Sequence, residues 1–215
     1  MSEQRALMRQ SWLMASAGVR ESIRRRPYSE ACVVFAHGFM AGAAVMDPLR
    51  RSVSHNLGLD TVAFEYGPLA SFERTAKRLA SVARMASAGR PLVLVGHSLG
   101  GLLARHAVEF ESLSPALLLS IATPHRGTER ATRLPGSLGR ALRPGSDILT
   151  KLPNTSSVPH VSIVAGADTV VVPIASAAAS GAEVHILAGV GHNEVLFHSD
   201  AHDLVCEFIR RRTEL

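Results

Sequence analysis

An apolar strand that turns directly into a helix at a serine is the feature that most constrains this chain. Residues 91–97 form the apolar run, and Gly96-His-Ser-Leu-Gly100 leads into a helical stretch over 99–111. In a Gly-x-Ser-x-Gly junction the serine occupies a sharp turn, and the two glycines remove side chains that would clash there. An ordinary glycine-rich loop is the alternative, but the flanking strand and helix are those that the motif requires. The pattern therefore predicts Ser98 as a catalytic nucleophile.

The rest of the chain alternates between apolar runs and amphipathic stretches. The predicted strands are 31–37, 59–65, 91–97, 115–121, 159–165 and 183–188, and the predicted helices are 43–56, 71–88, 99–111 and 200–212. Six buried strands separated mostly by helices are typical of the α/β class. We therefore expect a doubly wound, mostly parallel sheet of about six strands with helices on both faces.

The chain of 215 residues suits one domain, preceded by a short extension. Residues 28–215 are predicted to form the domain and residues 1–27 an N-terminal amphipathic helical extension. One face of that helix is marked by apolar residues at helical spacing, namely Leu7, Trp12, Ala15, Val19 and Ile23. We expect the helix to pack on the domain, with contact to a membrane surface as the alternative.

A long interval between two predicted strands, residues 122–158, interrupts the alternation. Glycine and proline are frequent in it, and Leu134, Leu138 and Leu142 recur at helical spacing. Long connections of this kind are often functional. Residues 126–155 are therefore interpreted either as a lid over the site or as an ordinary surface excursion, and the sequence does not separate the two.

Composition narrows the range of partners. The formal net charge is +5, but aromatic residues make up only 5% of the chain, so a basic stripe with stacking rings for nucleic acid is not indicated.

No apolar run reaches the roughly 18 residues that a membrane span needs. The histidines are scattered without metal-ligand spacing, so we expect no metal and no other cofactor. The N-terminal apolar stretch is short and interrupted by serines, which favours a cytoplasmic protein, with secretion as the alternative.

A serine nucleophile needs a base, and the base needs an orienting acid. In a parallel sheet both should follow the carboxyl ends of strands, in the chain order serine, acid, histidine. Asp168 follows strand 159–165 in Gly166-Ala-Asp168, and His192 follows strand 183–188 in Gly191-His192. A simple turn role for Asp168 and a place beside a helix N-cap for His192 are the alternatives.

The oxyanion that forms during acyl transfer should be bound by two backbone N–H groups. One is expected from Leu99, after the nucleophile, and the other from Phe39, after the first strand, with Met40 as the alternative second donor. The apolar side chains of Met40, Val170 and Val171 are expected to contact the substrate.

These motifs together resemble the α/β-hydrolase superfamily over roughly residues 31 to 210. The segment Ala122-Thr-Pro-His-Arg-Gly-Thr128 is similar to one found in small bacterial triacylglycerol lipases and lipase-like esterases. The resemblance implies the α/β-hydrolase fold and a Ser98, His192, Asp168 triad. A single glycine followed by a hydrophobic oxyanion residue, as in Gly38-Phe39, further implies medium or long acyl chains.

The expected activity is hydrolysis of a small-molecule acyl ester or lipid through an acyl-enzyme. An acyltransferase or thioesterase with the same triad is the first alternative, because the choice of acceptor depends on the shape of the pocket. A non-catalytic binding protein on this fold is the second.

Overall fold

The computed structural model describes residues 3–16 and 30–213, and for residues 12–16 it describes the backbone alone. Its strands are β1 Cys32–Ala36, β2 Asp60–Phe64, β3 Leu92–His97, β4 Leu117–Ile121, β5 His160–Ala165 and β6 Glu183–Leu187. They form one sheet in the order β2-β1-β3-β4-β5-β6, and every neighbouring pair is parallel. The predicted six-stranded parallel sheet is confirmed.

Helices cover both faces of this sheet. They are α1 Glu3–Ser16, α2 Asp47–Leu57, α3 Phe72–Ser87, α4 Leu99–Phe110, α5 Gly136–Ala141, α6 Asp147–Lys151 and α7 Ser199–Thr213. Val33 and Phe35 of β1 lie in the core cluster that includes residues of α2 and α7, whereas Val34 and Ala36 join the one that includes α3 and α4. A strand buried on both sides has no polar face, which explains the continuous apolar run.

Strand β6 is the exception to the predicted burial. It is an edge strand, and Val184 and Ile186 are 40% and 68% exposed. His185, the residue between them, packs its ring against Phe208 of α7 on the opposite face. The prediction of six buried strands was therefore wrong for β6, because an apolar run does not show whether a helix covers both faces.

Part of the predicted N-terminal helix corresponds to α1, and of the five residues expected on its apolar face only Leu7 has a described side chain, which is not buried. Ala6 is fully buried, whereas Leu7 is 47% exposed. Val19 and Ile23 lie outside the described residues. The division of the chain into an extension and a domain stays a prediction.

The interval 126–155 carries α5, α6 and a 3₁₀ turn at Glu129–Ala131. Leu138 and Leu142 are buried in the core cluster that α3 and α4 share, and Leu134 packs against it. The Ser137 hydroxyl accepts a hydrogen bond of 3.0 Å from the N–H of Phe72 at the start of α3. The leucine stripe therefore faces the core, which favours an ordinary surface excursion, while a moving lid stays a prediction.

None of the helices within residues 3–16 and 30–213 combines the length and apolar character needed to cross a membrane.

The junction between β3 and α4 depends on the missing side chains of two glycines. A Cβ atom on Gly100 would lie 2.1 Å from the carbonyl oxygen of Ala36 in β1, and one on Gly96 would lie 2.4 Å from the Cα of Gly101. Both neighbours are backbone atoms, which cannot move aside as a flexible side chain would. The first turn of α4 therefore sits directly against the end of β1.

Gly100→Ala should destabilise the fold strongly, because the added methyl group forces α4 away from β1. We expect a loss of about 3 kcal/mol in the free energy of unfolding, at the upper end of overpacking effects, measured by urea denaturation. Gly67→Ala is the control, since a Cβ atom at Gly67 meets no atom within 4 Å. A loss below about 1 kcal/mol for Gly100→Ala would show that α4 and β1 separate easily.

Candidate active site

Ser98 occupies a strained position between β3 and α4. Its backbone angles are φ 53° and ψ −122°, a positive φ that non-glycine residues adopt rarely and mainly at functional sites. Ser98 is the N-cap residue of α4, yet its side chain makes no capping hydrogen bond, although serine is favoured at N-caps for making one. The Ser98 hydroxyl therefore lies at the start of α4 but does not cap the helix.

Asp168 and His192 meet at the same edge of the sheet as Ser98. His192 Nδ1 lies 2.7 Å from Asp168 Oδ2, and both side chains are buried. The other carboxylate oxygen of Asp168 accepts hydrogen bonds of 2.8 Å from the N–H groups of Val170 and Val171. One oxygen of Asp168 thus closes the turn and the other contacts the imidazole, while its role as the orienting acid stays a prediction.

The hydrogen bonds of Asp168 decide its charge. Burial alone would raise the pKa of Asp168, but the hydrogen bond and charge of His192 and the two backbone N–H groups outweigh it, so the pKa falls below its ordinary value. An ionised Asp168 accepts a hydrogen bond from Nδ1 of His192 and so favours the tautomer in which Nε2 is the acceptor nitrogen.

His97 links the turn of Ser98 to the loop of His192. Its Nε2 donates a hydrogen bond of 2.9 Å to the carbonyl oxygen of His192, and the two ring centroids are 4.8 Å apart. Burial, with a smaller effect of His192, lowers the pKa of His97 to about 3, so the ring stays neutral. No sequence pattern predicted this contact, because 95 residues separate the two histidines.

The loop after β1 lies against the nucleophile. A Cβ atom on Gly38 would lie 3.2 Å from Ser98 Cβ. The carbonyl oxygen of Gly38 is 2.8 Å from His37 Nδ1 and accepts a longer hydrogen bond of 3.4 Å from Tyr66. In a trans peptide the C=O and N–H groups point in opposite directions, so a fixed Gly38 carbonyl also orients the N–H of Phe39.

The second predicted oxyanion donor, Leu99, is the first residue of α4. N–H groups of a first helical turn have no partner within the helix and are available to an anion. The structure thus places Phe39 and Leu99 in the two segments that border Ser98. Their role as oxyanion donors stays a prediction.

A charged network lies behind the loop after β1 and was not predicted. His37 Nε2 is 3.2 Å from a carboxylate oxygen of Glu65, and the hydroxyl of Tyr66 donates a hydrogen bond of 2.5 Å to the His37 carbonyl. The pKa of Glu65 is lowered, chiefly by its hydrogen bond to His37. Burial raises the pKa of Tyr66, so the phenol stays a donor. In the sequence, the one signal for this network was the position of Glu65 and Tyr66 directly after β2.

The predicted substrate-contacting residues differ in their accessibility. Met40 is 63% exposed and Val170 is 38% exposed. Val171 is fully buried in a small cluster with Val164 and Ala177, so its side chain is packed away from the surface and does not match the expected contact with substrate. Leu69, which follows β2 and was not predicted, is 90% exposed.

A parallel sheet with a serine at the strand-to-helix turn, and with a buried aspartate–histidine pair at the same edge, defines the α/β-hydrolase class. Within that class the chain belongs to the family described as "Putative serine esterase (DUF676)", whose model matches residues 29–144. The expected resemblance to the α/β-hydrolase superfamily is confirmed. A search of curated proteins finds no match to the chain.

Solved structures share the fold. A lipase of Bacillus licheniformis, BlEst2 in its mature form, superposes with a TM-score of 0.72 at 14% identity, over 89% of this chain and 95% of that one. A monoacylglycerol lipase of Paleococcus ferrophilus gives 0.67 at 16% identity, over 86% and 96%. The thioesterase RedJ of the prodiginine pathway in Streptomyces coelicolor gives 0.59 at 14% identity, over 95% and 99%. At these identities the likeness shows the fold alone.

A second histidine cluster lies between β4 and β5. The hydroxyl of Ser120 is 2.9 Å from Nε2 of both His125 and His160, and the Nδ1 atoms of both rings are buried without a partner in the described part of the chain. Burial, with the charge of Arg105, lowers the pKa of His160 to about 4, and burial also lowers that of His125. Both rings are therefore neutral in the folded protein at pH 7.

This cluster should make the fold sensitive to acid. Between pH 6.5 and about 4 the unfolded chain binds protons that the folded chain does not, so stability falls as pH falls through that window. We expect His160→Asn to reduce the slope of stability against pH by about 1 kcal/mol per pH unit in this range, measured by urea denaturation from pH 7 to pH 4.5. His55→Asn at an exposed position is the control. An unchanged slope in His160→Asn would contradict the assignment.

Proposed function

We propose that the protein is a serine carboxylester hydrolase of the lipase and esterase type. In this proposal Ser98 is the nucleophile, His192 the general base and Asp168 the acid that orients it. The observation that carries the proposal is the buried 2.7 Å contact between Asp168 and His192, at the sheet edge where the strained Ser98 lies. Membership of the serine esterase family, whose model spans Ser98, supports it.

The reaction follows from these positions. His192 Nε2 takes the proton of the Ser98 hydroxyl while Ser98 Oγ attacks the ester carbonyl carbon. The intermediate collapses to an acyl-enzyme, and the alcohol leaves with the proton from His192. Water then attacks the acyl carbon and gives a proton to His192. The second intermediate collapses to the carboxylic acid, and His192 returns the proton to Ser98 Oγ, which restores the hydroxyl.

Two backbone donors stabilise the charge that develops on the carbonyl oxygen. The N–H groups of Phe39 and Leu99 bind the oxyanion in this proposal, and one such donor contributes about 3 kcal/mol to transition-state stabilisation. The Phe39 peptide is pre-oriented through the Gly38 carbonyl, and α4 supplies its N-terminal dipole at Leu99. Neither donor needs to reorganise when the charge appears.

The groups around the carboxyl edge of the sheet favour an apolar substrate. Met40, Leu69 and Val170 follow three different strands there, and each is exposed. Exposed apolar side chains at a site edge favour an acyl chain or a lipid surface. The lipases among the structural neighbours agree with this choice of substrate.

A thioesterase is the second candidate. RedJ, a thioesterase, matches 95% of this chain and 99% of its own length, so the same fold accommodates that activity without a large additional domain. The triad chemistry is the same for both ester classes, and the leaving group decides between them.

Replacing the proposed nucleophile and acid should give graded losses. We expect Ser98→Ala to reduce kcat by about 10⁶ and Asp168→Asn by about 10⁴, because the aspartate acts only through the base. Hydrolysis of p-nitrophenyl butyrate measures both losses, and labelling by a fluorophosphonate followed by peptide mass spectrometry locates the nucleophile. Asp147→Asn, on the exposed surface, is the control. Activity of Ser98→Ala within tenfold of the parent would overturn the assignment.

The preference for acyl length tests the substrate class. Each buried CH₂ contributes about 0.8 kcal/mol, so kcat/KM should rise by about fourfold per carbon until the chain no longer fits. We expect butyrate to octanoate esters to exceed acetate by roughly tenfold or more, and Met40→Ser to reduce that gain. Acyl-thioesters of the same chain lengths are measured in parallel. A preference for acetate would contradict the lipase-type proposal, and turnover restricted to thioesters would favour the thioesterase.

A further inference from the structure

The loop that carries His192 is bound by a side chain from the opposite end of the sequence. Glu3 of α1 accepts hydrogen bonds from the N–H of Asn193 at 3.0 Å, from Asn193 Nδ2 at 2.8 Å and from the N–H of Glu194 at 3.2 Å. Two of these donors are backbone groups that directly follow His192. One carboxylate therefore binds three donors of the loop.

The loop is shaped to accept this carboxylate. A Cβ atom on Gly191 would lie 2.3 Å from Glu3 Oε2, so a side chain at Gly191 would displace the carboxylate. Asn193 precedes the 3₁₀ turn Glu194–Phe197 but makes no capping bond with its own side chain. The carboxylate of Glu194 does not cap the turn either, since it accepts a hydrogen bond from the N–H of Gly191. Glu3 thus provides the hydrogen bonds that a local capping residue would otherwise provide.

The peptide between His192 and Asn193 is held at both of its polar groups. Its carbonyl oxygen, on His192, accepts the hydrogen bond from His97, and its N–H, on Asn193, donates to Glu3. The two groups point in opposite directions in a trans peptide, so the two bonds together fix its plane. A hydrogen bond to a carboxylate oxygen is stronger than one between neutral groups, by roughly a factor of two when the carboxylate is charged.

Helix α1 is anchored on the domain beside this contact. Ala6 is fully buried, and the guanidinium of Arg9 lies 5.5 Å from the centre of the Phe197 ring, at the end of the same 3₁₀ turn. Glu3, Ala6 and Arg9 are spaced by three residues and so share one face of the helix. Docking of α1 therefore delivers Glu3 to the loop.

We propose that Glu3 is a positioning residue for His192, so that α1 forms part of the support of the active site. This inference rests on the proposed function, in which the His192 imidazole must reach the Ser98 hydroxyl while held by Asp168. Glu3 touches no reacting atom. It fixes the peptide that follows His192 and thereby the direction in which the imidazole leaves the backbone.

Substitution of Glu3 should lower kcat and leave KM nearly unchanged, because substrate binding does not involve this contact. A displacement of about 1 Å at a catalytic group costs on the order of 10² in rate, so we expect Glu3→Ala to lower kcat by 10- to 100-fold. Glu3→Gln keeps the length and one acceptor oxygen, and it should restore most of kcat. Gln4→Ala, at the exposed neighbouring position, is the control.

Two measurements separate positioning from general stability. Hydrogen exchange of the Asn193 and Glu194 amides should accelerate by tenfold or more in Glu3→Ala, while the melting temperature and the exchange of β3 amides stay near those of the parent. Ala6→Arg, which undocks α1 with Glu3 intact, should reproduce both the kcat loss and the faster exchange.

The outcomes are distinguishable. A parent enzyme that neither hydrolyses esters nor labels at Ser98 would overturn the proposed function and, with it, the positioning role. An active parent with unchanged exchange in Glu3→Ala would show that Glu3 does not hold the loop. Faster exchange with an unchanged kcat, or an equal rise in KM, would show that Glu3 is only a structural cap. Each of these results overturns the inference.

Discussion

The close approach of α4 to β1 is the constraint on which the rest of the structure depends. It is possible because Gly96 and Gly100 have no side chains, and a Cβ atom at Gly100 would meet the Ala36 carbonyl at 2.1 Å. The turn between β3 and α4 is then so sharp that Ser98 adopts a positive φ. The strain at Ser98 is compensated by the packing around β3, whose residues are all buried. A looser junction would leave both the serine and the N-terminus of α4 in other places.

Two peptide groups next to the candidate site are held in place by hydrogen bonds with side chains outside it. The peptide after Gly38 is held through its carbonyl by His37 and Tyr66, and the peptide after His192 is held by His97 and Glu3. In the first place two side chains bind the carbonyl group, and in the second both polar groups of the peptide are bound, so the direction of each peptide plane is set. Such preorganisation lowers the reorganisation needed when charge develops during a reaction.

The sequence predicted most of the secondary structure, because strands buried on both faces and helices with one apolar stripe leave distinct periodicities. The predicted strand 115–121 and helix 99–111, for example, appear as β4 Leu117–Ile121 and α4 Leu99–Phe110. The incorrect predictions for β6 and α1 have one physical cause. The periodicity of a sequence shows which residues are apolar, but it does not show which other element covers them. Exposed Ile186 in β6 and exposed Leu7 in α1 both follow from this.

The sequence by itself determined the fold class and the candidate residues Ser98, Asp168 and His192, because the strand-to-helix glycine pattern and the chain order of strand ends are local properties. Only the tertiary structure decided how these residues are supported. The contacts of His97 and Glu3 with the His192 loop join positions 95 and 190 residues apart, and no local pattern encodes such distances. The tertiary structure also decided the burial of Val171. Its side chain packs in the cluster with Val164 and Ala177, and only its N–H contacts Asp168.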